Sequence, residues 1–338
     1  MKRFLPVLLL FGLAAAPDAA FAAASDAALL WWTRILPALL PYLIAVSLLE
    51  RSGLFLRLPK RIAAYCLLPL GLLGGYPAGA KLAGRLYRDG AVSRDDAERA
   101  AVFSCFPNPV FLISVVSIGL FHSPRAAIPL LLGVCVPALA GLIPLSKIRI
   151  ISVRNNAEPF SVQTVPEAIK DGVRTILTVG GCLVFASVLG ALTEATGVLT
   201  LFGACAPLAR AVLLGAAEMT CGVRAAVSLS LPTAVRLALC AFFVQAGGVS
   251  VFLQCASHIS LRVSKWLPAR LLIASVSALT AYLSAVMFLP DGTVSAFASA
   301  DIIARNSLDL VSVAASAGFG LLLIFVFTSG LKHRKKTP

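Results

Sequence analysis

Long apolar runs alternate along this chain with short polar segments rich in lysine and arginine. Runs near 29–49, 100–120, 126–145, 174–192, 233–256, 270–289 and 309–331 each approach the roughly 20 apolar residues that a helix needs to cross a hydrocarbon core of about 30 Å. The pattern predicts an all-α polytopic membrane protein with about seven transmembrane helices. Two further apolar stretches, 62–80 and 201–222, break partway into glycine and polar residues. One reads Gly71-Leu72-Leu73-Gly74-Gly75-Tyr76-Pro77-Ala78-Gly79, the other Gly215-Ala216-Ala217-Glu218-Met219-Thr220-Cys221-Gly222. Both read as re-entrant hairpins, which return to the face they left.

Composition agrees with this pattern and removes other classes. Of the 338 residues, 59% are hydrophobic and 13% charged, with a mean hydropathy of +0.92, where soluble domains carry about 25% charged residues. The net charge of +14 would point to nucleic acid in a soluble chain, but here the cations lie in short loops. Counting from an outer start at residue 25, with two hairpins, places 21 Lys and Arg on the inner side and 6 on the outer side, leaving aside Lys2 and Arg3. That asymmetry is the positive-inside pattern, and it is lost if either hairpin alone is counted as a full span. No nucleic-acid partner is expected; the bilayer is.

Residues 1–24, with Lys2 and Arg3, an apolar run and the small-residue site Ala20-Phe21-Ala22, read as a signal peptide. A first membrane repeat then covers 25–145, an inner linker 146–167, a second repeat 168–290, and a last span with a basic tail 291–338. The repeats share an order of long helix, hairpin and broken helix. Aligning Gly79 with Gly222 sets Lys81 opposite Arg224, and Pro107-Asn108-Pro109 falls near Gln245-Ala246-Gly247-Gly248. Because the hairpins enter from opposite faces, the repeat is inverted. Inverted repeats interrupted at matching positions point to a transporter with its site at the midplane.

Candidate substrate-binding residues are Tyr76, Gly79, Lys81, Asn108, Glu218, Thr220, Gly222, Arg224 and Gln245. Glu218 reads as the one deep acid among fifteen, and intramembrane charge is retained mainly where it functions. It can ligate a coupling ion, carry a proton or bind a polar substrate; the alternative is a structural ion pair with Arg224 or Arg236. Lys81 and Arg224 form a pseudosymmetric pair of cations at or just past the hairpin tips, suited to an anion or else to snorkelling. Asn108 and Gln245 suit uncharged hydrogen bonding in unwound segments, or interhelical contacts. Trp31, Trp32 and Trp266 read as interfacial belt residues, and Arg270 as an inner-loop cation. The eight cysteines form no metal or disulfide pattern, and neither a cofactor nor a metal site is expected. There is no G-x-S-x-G, H-E-x-x-H or P-loop, so an enzyme is not expected.

The first hairpin together with Ser93-Arg94-Asp95-Asp96-Ala97-Glu98-Arg99 and Cys105-Phe106-Pro107-Asn108-Pro109, and in the second half Glu218-Met219-Thr220-Cys221-Gly222 and Gln245-Ala246-Gly247-Gly248-Val249-Ser250-Val251 with Gln254, resembles the YlbJ-type sporulation integral membrane proteins. These belong with the nucleoside recognition (Gate) domain family. The resemblance implies a multi-pass protein of a membrane surrounding the developing spore that moves a small anion, dipicolinate, by alternating access, on an architecture related to concentrative nucleoside transporters. A nucleoside or other small polar solute is the alternative substrate, and a membrane-embedded enzyme or non-transporting scaffold the distant one. The coupling ion, proton or sodium, and the oligomeric state stay open.

Overall fold

The computed structural model describes residues 5–52, 60–150 and 162–289; the span expected at 309–331 lies outside them. Every regular element among the described residues is helical. Helices α1 (Leu5–Ala15) and α2 (Pro17–Leu30) are followed by a π-helical turn, Trp31–Ile35, which runs into α3 (Leu36–Arg51). The Ala20–Ala22 site therefore lies inside a helix that continues to Arg51, with no break at residue 24. Its alanine-rich stretch has high helix propensity.

Next come α4 (Lys60–Gly74), α5 (Ala78–Arg88) and α6 (Arg94–Ser104). Ser93 caps α6, its hydroxyl accepting from the Asp96 amide at 3.1 Å and satisfying one of the free donors of the first turn. Short α7 (Pro109–Phe111) continues as a π-helical stretch, Leu112–Leu120, and α8 (Ala127–Ala140) and α9 (Leu142–Ser146) close the first half. The second half holds α10 (Thr164–Ala195), a 3-10 stretch Val198–Cys205, α11 (Ala206–Ala217), α12 (Met219–Val227), α13 (Thr233–Ala246), α14 (Gly248–Ala256) and α15 (Val263–Phe288).

Among the described residues, seven helical stretches are long and apolar enough to cross a membrane: 17–51, 94–120, 124–146, 164–195, 198–217, 233–256 and 263–288. Six coincide with spans expected from the sequence. The seventh, 198–217, includes the first arm of the second hairpin, so that arm alone has the length of a span. The chain is a multi-pass membrane protein.

Both hairpins fold back on themselves, and glycine makes the close approach feasible. In the second, α11 and α12 pack so tightly that a Cβ on Gly222 would overlap the Gly215 backbone, and a Cβ on Gly215 would overlap the Phe243 ring. In the first, Cβ atoms on Gly71 and Gly79 would both run into the Ser104 carbonyl. Ser104 stands four residues before Asn108 and Phe243 four before Gly247. Each hairpin is thus seated against the last turn before the break of its own repeat's helix.

Ion pairs tie the helix ends and loops together. Arg51 pairs with Asp171 at 2.7 Å and with Glu167, Arg85 with Glu50 at 3.2 Å, Lys265 with Asp95 at 3.0 Å, and Arg262 with Glu98 at 2.6 Å. These cations all belong to the expected inner set. Arg210, of the outer set, pairs with Glu194. Among the described residues no pair joins the two sets. Glu50 and Glu98 are buried at these pairs, so Glu218 is not the only buried acid, although the other two have arginine partners.

Candidate functional site

Both hairpin tips, the first helix break and Gln254 from the body of α14 meet around a small cavity. Its volume is about 30 Å³, and its polar lining comes from Tyr76, Asn108, Glu218 and Gln254. Pro107, Phe111, Leu39, Val179 and Leu183 complete the wall. The space suits a water-sized occupant, so a solute enters only if these segments move apart.

The first break follows from two prolines. Pro107 and Pro109 lack amide donors and push the residue before each out of the helical region; Asn108, before Pro109, is extended with ψ of 132°, and the α6 helix has already ended at Cys105, with ψ of 103°. Asn108 then caps the new helix, its Oδ1 accepting from the Val110 amide at 2.7 Å, while Nδ2 donates to the Leu73 carbonyl at the end of α4. One side chain thereby ties the broken helix to the first hairpin. The second break uses backbone handedness: Gly247 and Gly248 have φ of +78° and +64°, a region that residues with a Cβ rarely occupy.

The second tip is a single extended residue, Glu218, between α11 and α12. Its Oε2 accepts from the Thr220 amide at 2.7 Å, the Cys221 amide at 2.9 Å and the Thr220 hydroxyl. The carboxylate caps α12, where the helix presents about half a positive charge. All three bonds fall on one oxygen. Glu218 makes no ion pair with Arg224 or Arg236 among the described residues, so the structural ion pair is not formed. Helix geometry compensates the charge instead.

At the first tip, Gly75 has a φ of +67°, Tyr76–Pro77 is a cis peptide, and Tyr76 is buried. The Tyr76 hydroxyl lies 3.2 Å from the Val244 carbonyl and 3.3 Å from Gln245 Oε1. Gln245 does not line the cavity; it sits two residues before Gly247, against the first hairpin. Gln254, six residues past Gly248 on α14, takes the expected place, with its Nε2 donating to Ser250 at 3.1 Å. Gly79 and Gly222 contribute close packing, and Thr220 contributes its bonds to Glu218.

Lys81 and Arg224 are not brought together. Lys81 donates to Ser47 at 2.7 Å, among the residues of the Arg85–Glu50 face. Arg224 lines a separate vestibule of about 310 Å³ with Asp26, Ser187, Glu194, Arg210, Thr220 and Cys221. The two cations lie in different surroundings, Lys81 beside Ser47 and Arg224 in the vestibule. The paired-cation grip expected for an anion is not formed.

Arg270 was read as a loop cation and Trp266 as a belt residue; the structure buries both, at 1% and 3% exposure. Arg270 Nη1 donates to the Cys105 carbonyl at 2.7 Å, and Nη2 donates to the Gln245 carbonyl and the Tyr76 hydroxyl. It binds the C-terminal ends of both interrupted helices and one hairpin tip. The rings of Tyr76, Trp266 and Phe106 surround its guanidinium at 5.4, 5.5 and 6.0 Å. Position in the run Trp266-Leu267-Pro268-Ala269-Arg270 hid this role, because membrane helices often begin with cations. The aromatic neighbours were the available signal.

The chain is similar to the sporulation integral membrane protein YlbJ of Bacillus subtilis (strain 168), with 28% identity over 306 aligned positions covering 76% of this chain and 75% of the relative. The chain is related to the YlbJ-type membrane proteins. No family model matches it, and no solved structure does.

Proposed function

We propose that this YlbJ-related protein carries a small polar solute across its membrane by alternating access, with the solute held between the two hairpin tips and the two helix breaks. The observation carrying this reading is that both halves of the chain contribute an interruption, at Pro107-Asn108 and at Glu218, to one small cavity. Interrupted helices at membrane depth expose backbone groups that are tolerated only beside protein or a water-filled space. Such a space at a repeat interface is where transporters of this kind bind their cargo. Asn108, Gln254, Glu218 and Tyr76 offer a solute both donors and acceptors. The vestibule lined by Thr220, Cys221 and Arg224 gives a route toward the Glu218 tip from one face.

A dipicolinate-like anion is the more specific reading; the relative's name supports only a setting in sporulation. The cavity holds an acid and neither Lys81 nor Arg224, so a dianion would require Glu218 to take up a proton first. A nucleoside or other neutral polar solute carries no such requirement. Uptake of labelled dipicolinate and of a labelled nucleoside into proteoliposomes, for wild type and Glu218→Gln, separates these. Anion transport predicts saturable dipicolinate uptake that rises as pH falls and loses that dependence in Glu218→Gln. Nucleoside uptake abolished by Glu218→Gln assigns a neutral solute. No uptake of any polar solute by correctly inserted protein overturns the transport reading.

A further inference from the structure

We infer that Arg270 is a built-in cation, occupying the place that a mobile coupling cation takes at the carbonyl ends of interrupted helices, so that the protein works without sodium. The coupling half of this inference rests on the transport reading; the structural half does not. Half-helix C-termini and unwound carbonyls are the groups that coordinate Na⁺ in transporters built on broken helices. Here those of α6 and α13 converge on a guanidinium. Cys105 O at 2.7 Å, Val102 O at 3.5 Å, Gln245 O and the Tyr76 hydroxyl surround Nη1 and Nη2.

The charges balance without a carboxylate. Among the described residues no acid pairs with Arg270, although an unpaired buried ion costs several kcal/mol. Each helix C-terminus carries about half a negative charge, so two of them supply about one unit, and three ring faces add cation–π attraction. The site therefore has the electrostatics of a monovalent cation site with the cation already covalently attached. Arginine suits it because its planar fork reaches carbonyls from two helices together and stays charged. A second cation in the same carbonyl cluster would itself lack a compensating charge, because the two helix ends are already used by Arg270. Two buried donors, Arg270 Nε and Gln245 Nε2, lack partners, so the cluster already has more donors than its acceptors use.

Thermal unfolding of the purified full chain in detergent, in sodium chloride against choline chloride at matched ionic strength, reads this directly. Wild type is expected to melt at the same temperature in both. Arg270→Ala leaves the carbonyls without a counter-charge; it is expected to melt lower and to recover with sodium or with millimolar guanidinium, whereas Arg270→Met, which fills the space, is expected to respond to neither. Should Arg270→Ala fail to fold, wild type and Arg270→Lys carry the test, both being expected to stay indifferent to sodium. Stabilisation of wild type by sodium over choline overturns the inference, as does an Arg270→Ala protein that responds to neither ion. Uptake measured in parallel is expected to be equal in sodium and choline. Absence of uptake in both would count against the transport reading and leave the unfolding result to decide the role of Arg270.

Discussion

The two hairpin tips do the same architectural task with different chemistry. The first turns through Gly75, Tyr76 and cis-Pro77 and offers one neutral hydroxyl, which is used to bind Arg270. The second turns through one residue, Glu218, and offers a carboxylate held by α12. The helix breaks differ likewise, one made by prolines with an asparagine cap and the other by two left-handed glycines. Each half interrupts its backbone beside the same cavity and supplies a different group there. Both charged groups come from the second half: Glu218 at its own tip, and Arg270 on α15, which donates to the hydroxyl of the first tip.

Substitutions at the two tips should therefore be unequal. Glu218→Ala strands two buried amides and a hydroxyl, each worth about 1–3 kcal/mol when unsatisfied, and should lower stability by about 3 kcal/mol. Tyr76→Phe should cost about 1 kcal/mol, since Arg270 keeps its carbonyl partners. Thermal or denaturant unfolding of the two variants side by side measures the difference, and equal losses would erase the asymmetry.

The seats of the hairpins give the next contrast. A Cβ on Gly71 meets a backbone carbonyl, which cannot move aside, whereas on Gly215 it meets the Phe243 ring, which can rotate. Overpacking costs about 1–3 kcal/mol, so Gly71→Ala should fall at the upper end and Gly215→Ala at the lower. Melting temperatures rank them. At the breaks, Asn108→Ala should cost about 1 kcal/mol as a lost cap, and Gly247→Ala a similar amount, about 1–2 kcal/mol, through its left-handed conformation. Double substitution tests whether the breaks are independent, since uncoupled sites add.

The smallest effect lies outside the membrane segments. Burial pushes His258 down to about 4, with Lys81 and Arg88 adding to the shift. Its charge is therefore disfavoured in the folded chain relative to an unfolded value near 6.5. Stability from this group is complete above that value and is lost as pH falls toward 4. The slope of melting temperature between about pH 6.5 and 4 should flatten in His258→Gln.

Much of the fold was legible because membrane burial writes itself as long apolar runs and charge asymmetry. The hairpins and breaks were legible through Gly and Pro, which act on backbone geometry wherever they stand. Glu218 and Asn108 were legible as polar groups within apolar stretches. The neighbours of Lys81 and Arg224 were not, because matching positions in an alignment of the two halves do not fix which side chains face each other in space. Arg270 was missed for a different reason. Its partners are backbone carbonyls from distant helices, and a carbonyl leaves no residue-type signature. The exchange of Gln245 for Gln254 is a matter of helical phase after Gly247 and Gly248, whose handedness resets the register.

The central claim is that both halves close on one solute. Hydrogen exchange of the reconstituted protein, with and without the solute identified by uptake, tests it most directly. The account predicts that amides at 73–79, 106–111, 216–222 and 246–251 gain protection together at the same solute concentration. Protection confined to one half, or to the vestibule around Arg224 alone, would contradict it.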